Sequence, residues 1–502
     1  MSLRRNILAN FLSQAYVTLI GIVMVPVYLS YMGAEAYGLV GFFAMVQVWF
    51  QLLDIGLTPT MAREAARFNG GASDATSLRH LLRAMEGFFI GIAVLGCAAM
   101  VAASGFIASS WLKVQKLPLV EVEHALMLIS LIVALRWVSG LYRSAITGFE
   151  RLVWLAGFNM VLATARFILV VPLFIFVGTS ATLFFSYQLL LAMLELSILV
   201  WQTYRRLPTA ADGEHRPWQY APLRGVLKFS LSIAFASFVW IVATQADKVI
   251  LSKLLPLTEY GYYTLVVLVA GGVLAISGPV SGALLPRLTR LAAAGDSAGV
   301  LLLYQNATQL VAVMAVPVAL VLALFSRQVL WAWTGDVVLV DTVAPVLALY
   351  AAGSGISVLA AFPYYLQYAK GELRLHLIGN VLFVLLLVPS LIGATWKFGM
   401  LGAAWVWLVL NLVYFLLWVP VAHRRFAPGL HWRWMRKDVL LISIPTLLVA
   451  LLLQYTAPWP VGRPAMAVQL CGLGMLLLGI SGMSSSKVRE LLAHRFNPVG
   501  IV

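Results

Sequence analysis

Apolar stretches succeed one another along this 502-residue chain, parted by short basic or turn-forming segments. Most run to about 20 residues or more, enough to cross the hydrocarbon core of a bilayer as a helix. Lipid offers no partner to a free N–H or C=O, so each stretch must satisfy its backbone within itself. None alternates with the two-residue period of a barrel strand. About fourteen such stretches can be counted, so the expected fold is an all-α polytopic membrane protein of about 14 transmembrane helices. Composition agrees: 62% of residues are hydrophobic and 11% charged, against about half and about a quarter in ordinary soluble proteins.

A net charge of +15 would suit nucleic acid in a soluble chain. Here the basic residues sit in short clusters between apolar runs, as the positive-inside rule requires, and nucleic-acid binding is excluded as a reading. Placing the N-terminus in the cytoplasm puts Arg4, Arg5, Arg63, Arg67, Arg151, Arg205, Arg206, Arg374, Arg424 and Arg425 inside and leaves few basic residues, such as Lys113, Lys116 and Arg327, outside. Both termini are then cytoplasmic. The first apolar run is too long for the core of a cleaved signal peptide. Cys97 and Cys471 both lie in apolar runs, which points to neither a disulfide framework nor a metal site. Three basic residues fall within spans: Arg136, Arg166 and Lys248.

The chain also repeats itself. LSYMGAEAYG (29–38) is answered by LSKLLPLTEYG (251–261), TPTMAREAAR (58–67) by LLPRLTR (284–290), and GFERLVWLAGFN (148–159) by GELRLHLIGN (371–380). Three matches in order, at an offset of about 222 residues, indicate a duplicated six-helix unit. Six is even, so both copies start on the same side and are related by a pseudo-twofold axis along the membrane normal. The expected organisation is a lobe at 1–203, a cytoplasmic linker at 204–225 rich in proline and charge, a second lobe at 226–425, and two additional helices with a cytoplasmic tail at 426–502. Paired bundles of this kind build alternating-access transporters, with the substrate held near the midplane.

Residues seven apart share a helix face. Gln188, Glu195 and Gln202 follow that spacing, as do Asn159 with Arg166 and Arg136 with Arg143, while Gln47, Gln51, Asp54 and Thr58 run at 4, 3, 4. Arginine at membrane depth is costly unless it faces protein or water, and its fork of donors matches phosphate oxygens. Arg136, Arg143 and Arg166, with Asn159, Gln47, Gln51 and Gln188, are therefore the candidate substrate-binding residues, suited to an anion that carries polar groups. The competing account is an ion pair of Arg166 with Glu195 that only fixes packing. Glu195, Asp54, Asp247 and Lys248 are candidates for ion coupling or ion pairing, since a carboxylate in a dry cavity can exchange a proton. Asp54, near a helix end, has capping as its alternative, and Lys248 has snorkelling. No cofactor is called for beyond H+ or Na+ as a coupling ion. Loops are short, and no clustered carboxylates or metal-spaced histidines suggest an enzyme.

The stretch VPVYLSYMGAEAYGLVGFFAMVQVWFQLLDIGLTPTMAREAAR (25–67) resembles the opening of the polysaccharide flippases, the O-antigen exporter group of the multidrug/oligosaccharidyl-lipid/polysaccharide exporter superfamily. The MGAEAYG turn, the LLDIGL helix end and the basic run from Arg63 carry the likeness, and QADKVILSKLLPLTEYGYYTL (245–265) resembles the start of that family's second half. The resemblance extends over roughly residues 5 to 425. It implies a two-lobed flippase of a bacterial inner membrane that moves undecaprenyl-diphosphate-linked oligosaccharide, such as an O-antigen unit for lipopolysaccharide, to the outer face. Arg136 and Arg166 would hold the diphosphate, and glycan polymerase and chain-length regulator proteins would be candidate partners. The two extra C-terminal helices are similar to those of lipid II flippases. Two other functions fit the same architecture: a cation-coupled drug antiporter of the multidrug and toxin extrusion type, which would want an acidic cavity, and a non-transporting scaffold of a glycan-assembly complex.

Overall fold

The computed structural model describes residues 3–54, 56–71, 74–207 and 221–490. Among them the chain is helical, with one isolated bridge between Lys113 and Pro256. In order, the helices are α1 Leu3–Val23, α2 Val25–Phe50, α3 Leu57–Asn69, α4 Ala75–Phe106, α5 Leu119–Gly148, α6 Leu152–Phe167, α7 Val170–Phe176, α8 Ala181–Tyr204, α9 Ala221–Leu254 and α10 Leu257–Ala275. They continue as α11 Ser277–Ala293, α12 Ser297–Leu324, α13 Ser326–Thr334, α14 Val337–Ala360, α15 Phe362–Ala369, α16 Arg374–Val413, α17 Val419–Phe426, α18 Leu430–Trp434, α19 Leu441–Thr456 and α20 Arg463–Ser484. Joined across their short irregular turns, 11 of these helical stretches are long and apolar enough to cross a membrane. One of them, Arg374–Phe426, is long enough for two crossings and turns at Gly399, where φ is 56°. Gly33, at φ 79°, makes a similar break inside α2, as the second residue of the MGAEAYG segment. Both angles lie where a side chain with a Cβ is strained. Most of the linker expected at 204–225, namely 208–220, lies outside the described residues.

The chain forms two compact units, Met1–Gly261 and Tyr262–Val502. In the first, α5 is central and packs on α3, α4 and α8, with Leu126, Ile129, Val133, Leu141 and Ala145 buried along it. Because lipid is as apolar as leucine, such helices associate through close contact and interhelical hydrogen bonds rather than through expulsion of water. Ser13 accordingly donates to the Ala156 carbonyl (3.0 Å) and Tyr16 bonds Thr164 (2.6 Å), tying α1 to α6.

The boundary at Gly261 has a local cause. Helix α9 and the start of α10 pack on the first unit, and Leu257 N–H donates to the Lys113 carbonyl (3.0 Å) while Trp111 donates to Ser252 (3.0 Å). A Cβ on Gly261 would stand 3.0 Å from the nitrogen of Gly38 and 3.2 Å from its Cα. Gly38 and Gly261 close the two matching segments LSYMGAEAYG and LSKLLPLTEYG, so the repeat brings its own equivalent glycines into backbone contact. The Glu35 carboxylate, 5% exposed, accepts the backbone N–H groups of Lys116 (2.8 Å) and Leu117 (3.0 Å) and fixes the 112–118 turn beside them.

The second unit is organised on α12. Tyr304, Val311 and Ala312 on that helix are buried with Phe362, Val419 and Trp434. Helices α19 and α20 join it through Phe325, Ala450 and Leu477. Asp438, 2% exposed, accepts from Gln305 (3.0 Å) and Gln309 (2.7 Å), and Gln309 in turn accepts from Ser485 (2.7 Å) just past α20.

Candidate functional site

The three heptad faces meet. On α8, Glu195 is 3% exposed and its two carboxylate oxygens divide between two arginines. Arg143, from α5, presents Nε (3.1 Å) and Nη2 to Oε1, and Arg166, from α6, presents Nη2 to Oε2. Arg143 also donates to the Asn159 side-chain oxygen. One turn pair along α5, Arg136 donates to Gln188 (2.9 Å) and Gln47 (3.3 Å) and lies 4.9 Å over the Phe43 ring. Seven of the residues singled out from sequence are thus in one continuous network: Gln47, Arg136, Arg143, Asn159, Arg166, Gln188 and Glu195.

The charges in this network do not balance. Three guanidiniums surround one carboxylate, and only Arg143 and Arg166 bond to it. Arg136 has neutral amide oxygens as its acceptors. Among the described residues, Nε of Arg136 and Nε of Arg166 are buried donors without an acceptor. Unfilled guanidinium donors in a site with excess positive charge are what a phosphate group would complete.

The backbone at Arg166 is itself exceptional. Helix α6 ends at Phe167, and α7 begins at Val170, so the expected single span is broken two-thirds of the way along. The carbonyls released by the break are taken up by side chains: Tyr187 donates to Ala165 (2.8 Å), Gln188 to Arg166 (3.2 Å), and Tyr28 to Phe167 (3.1 Å) and Arg166 (3.3 Å). Irregular backbone is tolerated at membrane depth only where protein or a cavity satisfies it, and a half-helix C-terminus favours a cation such as Arg166. Tyr28 and Tyr187 went unnoticed in the sequence because a tyrosine in an apolar run resembles packing. The break did leave a signal, since the Pro172 ring excludes the ordinary helical bond to the Ile168 carbonyl.

Other candidates lie elsewhere. Gln51 is exposed on the 3-10 turn Gln51–Asp54 that follows α2. Asp54 accepts from the backbone N–H (3.0 Å) and hydroxyl (2.5 Å) of Thr58 at the start of α3. Asp247 pairs with Lys248 (3.6 Å) on α9, and Lys248 also donates to the Thr244 carbonyl (2.9 Å). Glu86, which sequence reading passed over, is 8% exposed and accepts from Tyr142 (2.8 Å) and Tyr204 (2.8 Å), joining α4 to α5 and α8.

Residues 3–292 match the family described as polysaccharide biosynthesis protein, more than half of the chain. The chain belongs to that family. No curated protein sequence matches it. Among solved structures, the fold of this polysaccharide biosynthesis protein is similar to that of a protein described as the lipid II flippase MurJ in an inward closed conformation (TM-score 0.71, 15% identity, 96% of this chain and 99% of that one). It is also similar to an inward-facing multidrug resistance MATE family transporter of the MOP superfamily (TM-score 0.69, 15% identity, 82% and 94%). A MOP superfamily transporter from Pyrococcus furiosus, described as having a binding pocket of reversed polarity, aligns at a TM-score of 0.57 with 15% identity over 84% and 95%. The protein is thus a multi-pass membrane protein with the MOP transporter fold.

Proposed function

We propose that this protein is a flippase that carries an undecaprenyl-diphosphate-linked oligosaccharide across a bacterial inner membrane by alternating access. The observation that carries this reading is the excess of half-buried guanidinium over carboxylate around Glu195, with buried Nε donors on Arg136 and Arg166 left open among the described residues. A diphosphate supplies the missing negative charge and the missing acceptors together. Gln47, Gln188 and Asn159 stand beside these arginines with amide groups able to exchange partners with sugar hydroxyls. Both termini are cytoplasmic in this reading, by the distribution of basic residues.

Glu195 then works as a stand-in for substrate. When diphosphate takes Arg143 and Arg166, the carboxylate loses both counter-ions, and a proton or Na+ is the natural replacement. Release of the anion on the far side returns the arginines to Glu195 and frees that ion. The fold is shared with drug antiporters, but an organic cation would be repelled by the net positive charge of this cluster.

The test is surface glycan in cells carrying Arg166→Ala or Arg166→Lys, with protein level checked. Both variants are expected to lower surface glycan at least about tenfold, with lipid-linked glycan accumulating inside. Normal surface glycan in both would remove Arg166 from the transport path and with it this reading of the cluster.

A further inference from the structure

A second basic site lies at the foot of the same helices. A cavity of about 620 Å³ is lined by Arg151, Trp154, Trp201, Gln202, Arg205 and Arg206, together with residues at the end of α3. At about 1.5 Å per residue, Arg151 stands about 22 Å along α6 from Arg166. None of the three arginines pairs with a carboxylate among the described residues. Nε of Arg206 is buried with no acceptor. Burial first, then the charges of Arg151 and Arg205, pull the Arg206 guanidinium below its usual pKa, as expected of cations crowded together.

Basic residues just past a helix C-terminus have an ordinary explanation, because the terminal carbonyls favour them. That accounts for Arg205 and Arg206 after α8. It does not account for Arg151, which is the N-cap of α6, at the end of the helix dipole that disfavours a cation. No side-chain cap hydrogen bond forms at the start of α6, where Arg151 and Trp154 line the cavity. Three unpaired guanidiniums and an uncapped helix N-terminus converge on one space, and the neighbouring Glu150 is exposed and does not line it. An anion at that point resolves both oddities.

The aromatic residues say what bears the anion. Trp201 is 57% exposed, with Arg205 5.2 Å over its ring, and Trp154 is parallel to Phe158 at 5.2 Å. Tryptophan beside a basic pocket at a span end is the combination that suits a lipid headgroup at the membrane surface. On the side of the Glu195 cluster, Gln202 is one heptad from Glu195 on α8, and Phe158, stacked on Trp154, lies 5.8 Å beneath Arg143.

We propose that this cavity is a docking site for the phosphate of a lipid headgroup, holding it between Arg151, Arg205 and Arg206 at the start of a path that leads along α6 and α8 to Arg143. Two sources share that chemistry, an anionic phospholipid and the polyprenyl diphosphate of a lipid-linked glycan. The second source rests on the function proposed above; the first stands without it.

The experiment uses the full-length protein in phosphatidylcholine nanodiscs, with bound lipid counted by native mass spectrometry while phosphatidylglycerol or a polyprenyl diphosphate is titrated in. The variant Arg151→Gln/Arg205→Gln/Arg206→Gln is compared with wild type and with Arg166→Lys, which leaves the cavity intact. About fivefold in affinity is expected per arginine, and about a hundredfold for all three. Should the triple variant fail to fold, Arg151→Gln alone gives the fivefold reading. Loss of one lipid only supports the site and names its ligand; loss of both supports it as a general phosphate site. Unchanged affinity for both, or no saturable binding in wild type, overturns the proposal. Normal glycan export by both Arg166→Ala and Arg166→Lys alongside lost docking in the triple variant would sink the function proposed above and leave the docking site standing.

Discussion

The two units solve the same packing problem with different chemistry. In the first, α5, α6 and α8 meet around Arg136, Arg143, Arg166 and Glu195. About 222 residues further on, the chain has Val358, Tyr365, Val388 and Leu417, none of them charged. Polar groups inside the second unit are satisfied by other neutral groups for the most part: Tyr263 with Tyr350 (2.5 Å), Trp407 with Ser354 (3.3 Å), and Tyr304 with His423 (2.7 Å). Its buried Asp438 accepts from two glutamine amides and forms no ion pair among the described residues. Among the described residues, a bundle from the same repeat therefore closes without such an arginine cluster. The charges of the first unit are not a requirement of this architecture, which supports the proposal that they serve what passes the site.

The sharpest way to break that comparison is to remove the central carboxylate. Glu195→Leu leaves the half-buried Arg143 and Arg166 without their counter-ion, and unpairing a charge costs up to about 3–5 kcal/mol where it is fully buried. Asp438→Asn in the second unit exchanges a carboxylate for an amide among glutamines, with an expected loss of about 1 kcal/mol. Thermal unfolding of the two purified variants, side by side in one detergent, separates the cases. Equal losses would mean that both units depend on a buried charge to the same degree.

How much of this was legible beforehand follows from the physics of each element. Spacings of seven on α5, α6 and α8 put Arg136 with Arg143, Asn159 with Arg166, and Gln188 with Glu195 on common faces, and those faces do converge. The run Gln47, Gln51, Asp54 looked equally regular, but α2 gives way at Gln51 to a 3-10 turn. A 3-10 turn has three residues per turn instead of 3.6, so the polar face rotates away from Gln47 at that point. The break at 168–169 was written in Pro172, yet its consequence was not: which side chains would take the freed carbonyls depends on where α2 and α8 pass, and no local pattern records that. The cavity at Arg151 was hidden for a related reason. Its lining comes from three separate helix ends, each of which reads alone as an ordinary basic boundary.

A smaller effect sharpens the comparison within the first unit. Tyr28→Phe removes the donor to the Phe167 carbonyl and one of two donors to the Arg166 carbonyl, with an expected loss of about 1–3 kcal/mol if the Phe167 carbonyl stays dry. Export should fall with it, because the break in α6 positions Arg166 against Glu195. Full export by a destabilised Tyr28→Phe would show that the guanidinium finds its place without the break being held.

The smallest effect is expected in the second unit. Tyr263→Phe deletes one of two buried hydroxyls that bond each other, and Tyr350 keeps its stacking on Trp407 (5.7 Å, 12°). A neutral hydrogen bond of this kind is worth about 0.5–1.5 kcal/mol net, so stability should drop slightly and glycan export should stay within about twofold of wild type. Matching loss of stability by Tyr28→Phe and Tyr263→Phe, with export lost only in the first, would tie transport to the charged unit specifically. Loss of export in Tyr263→Phe at wild-type protein level would instead place the second unit's aromatic network in the substrate path, and the one-sided charge distribution would then mark where the phosphate is held rather than where transport is done.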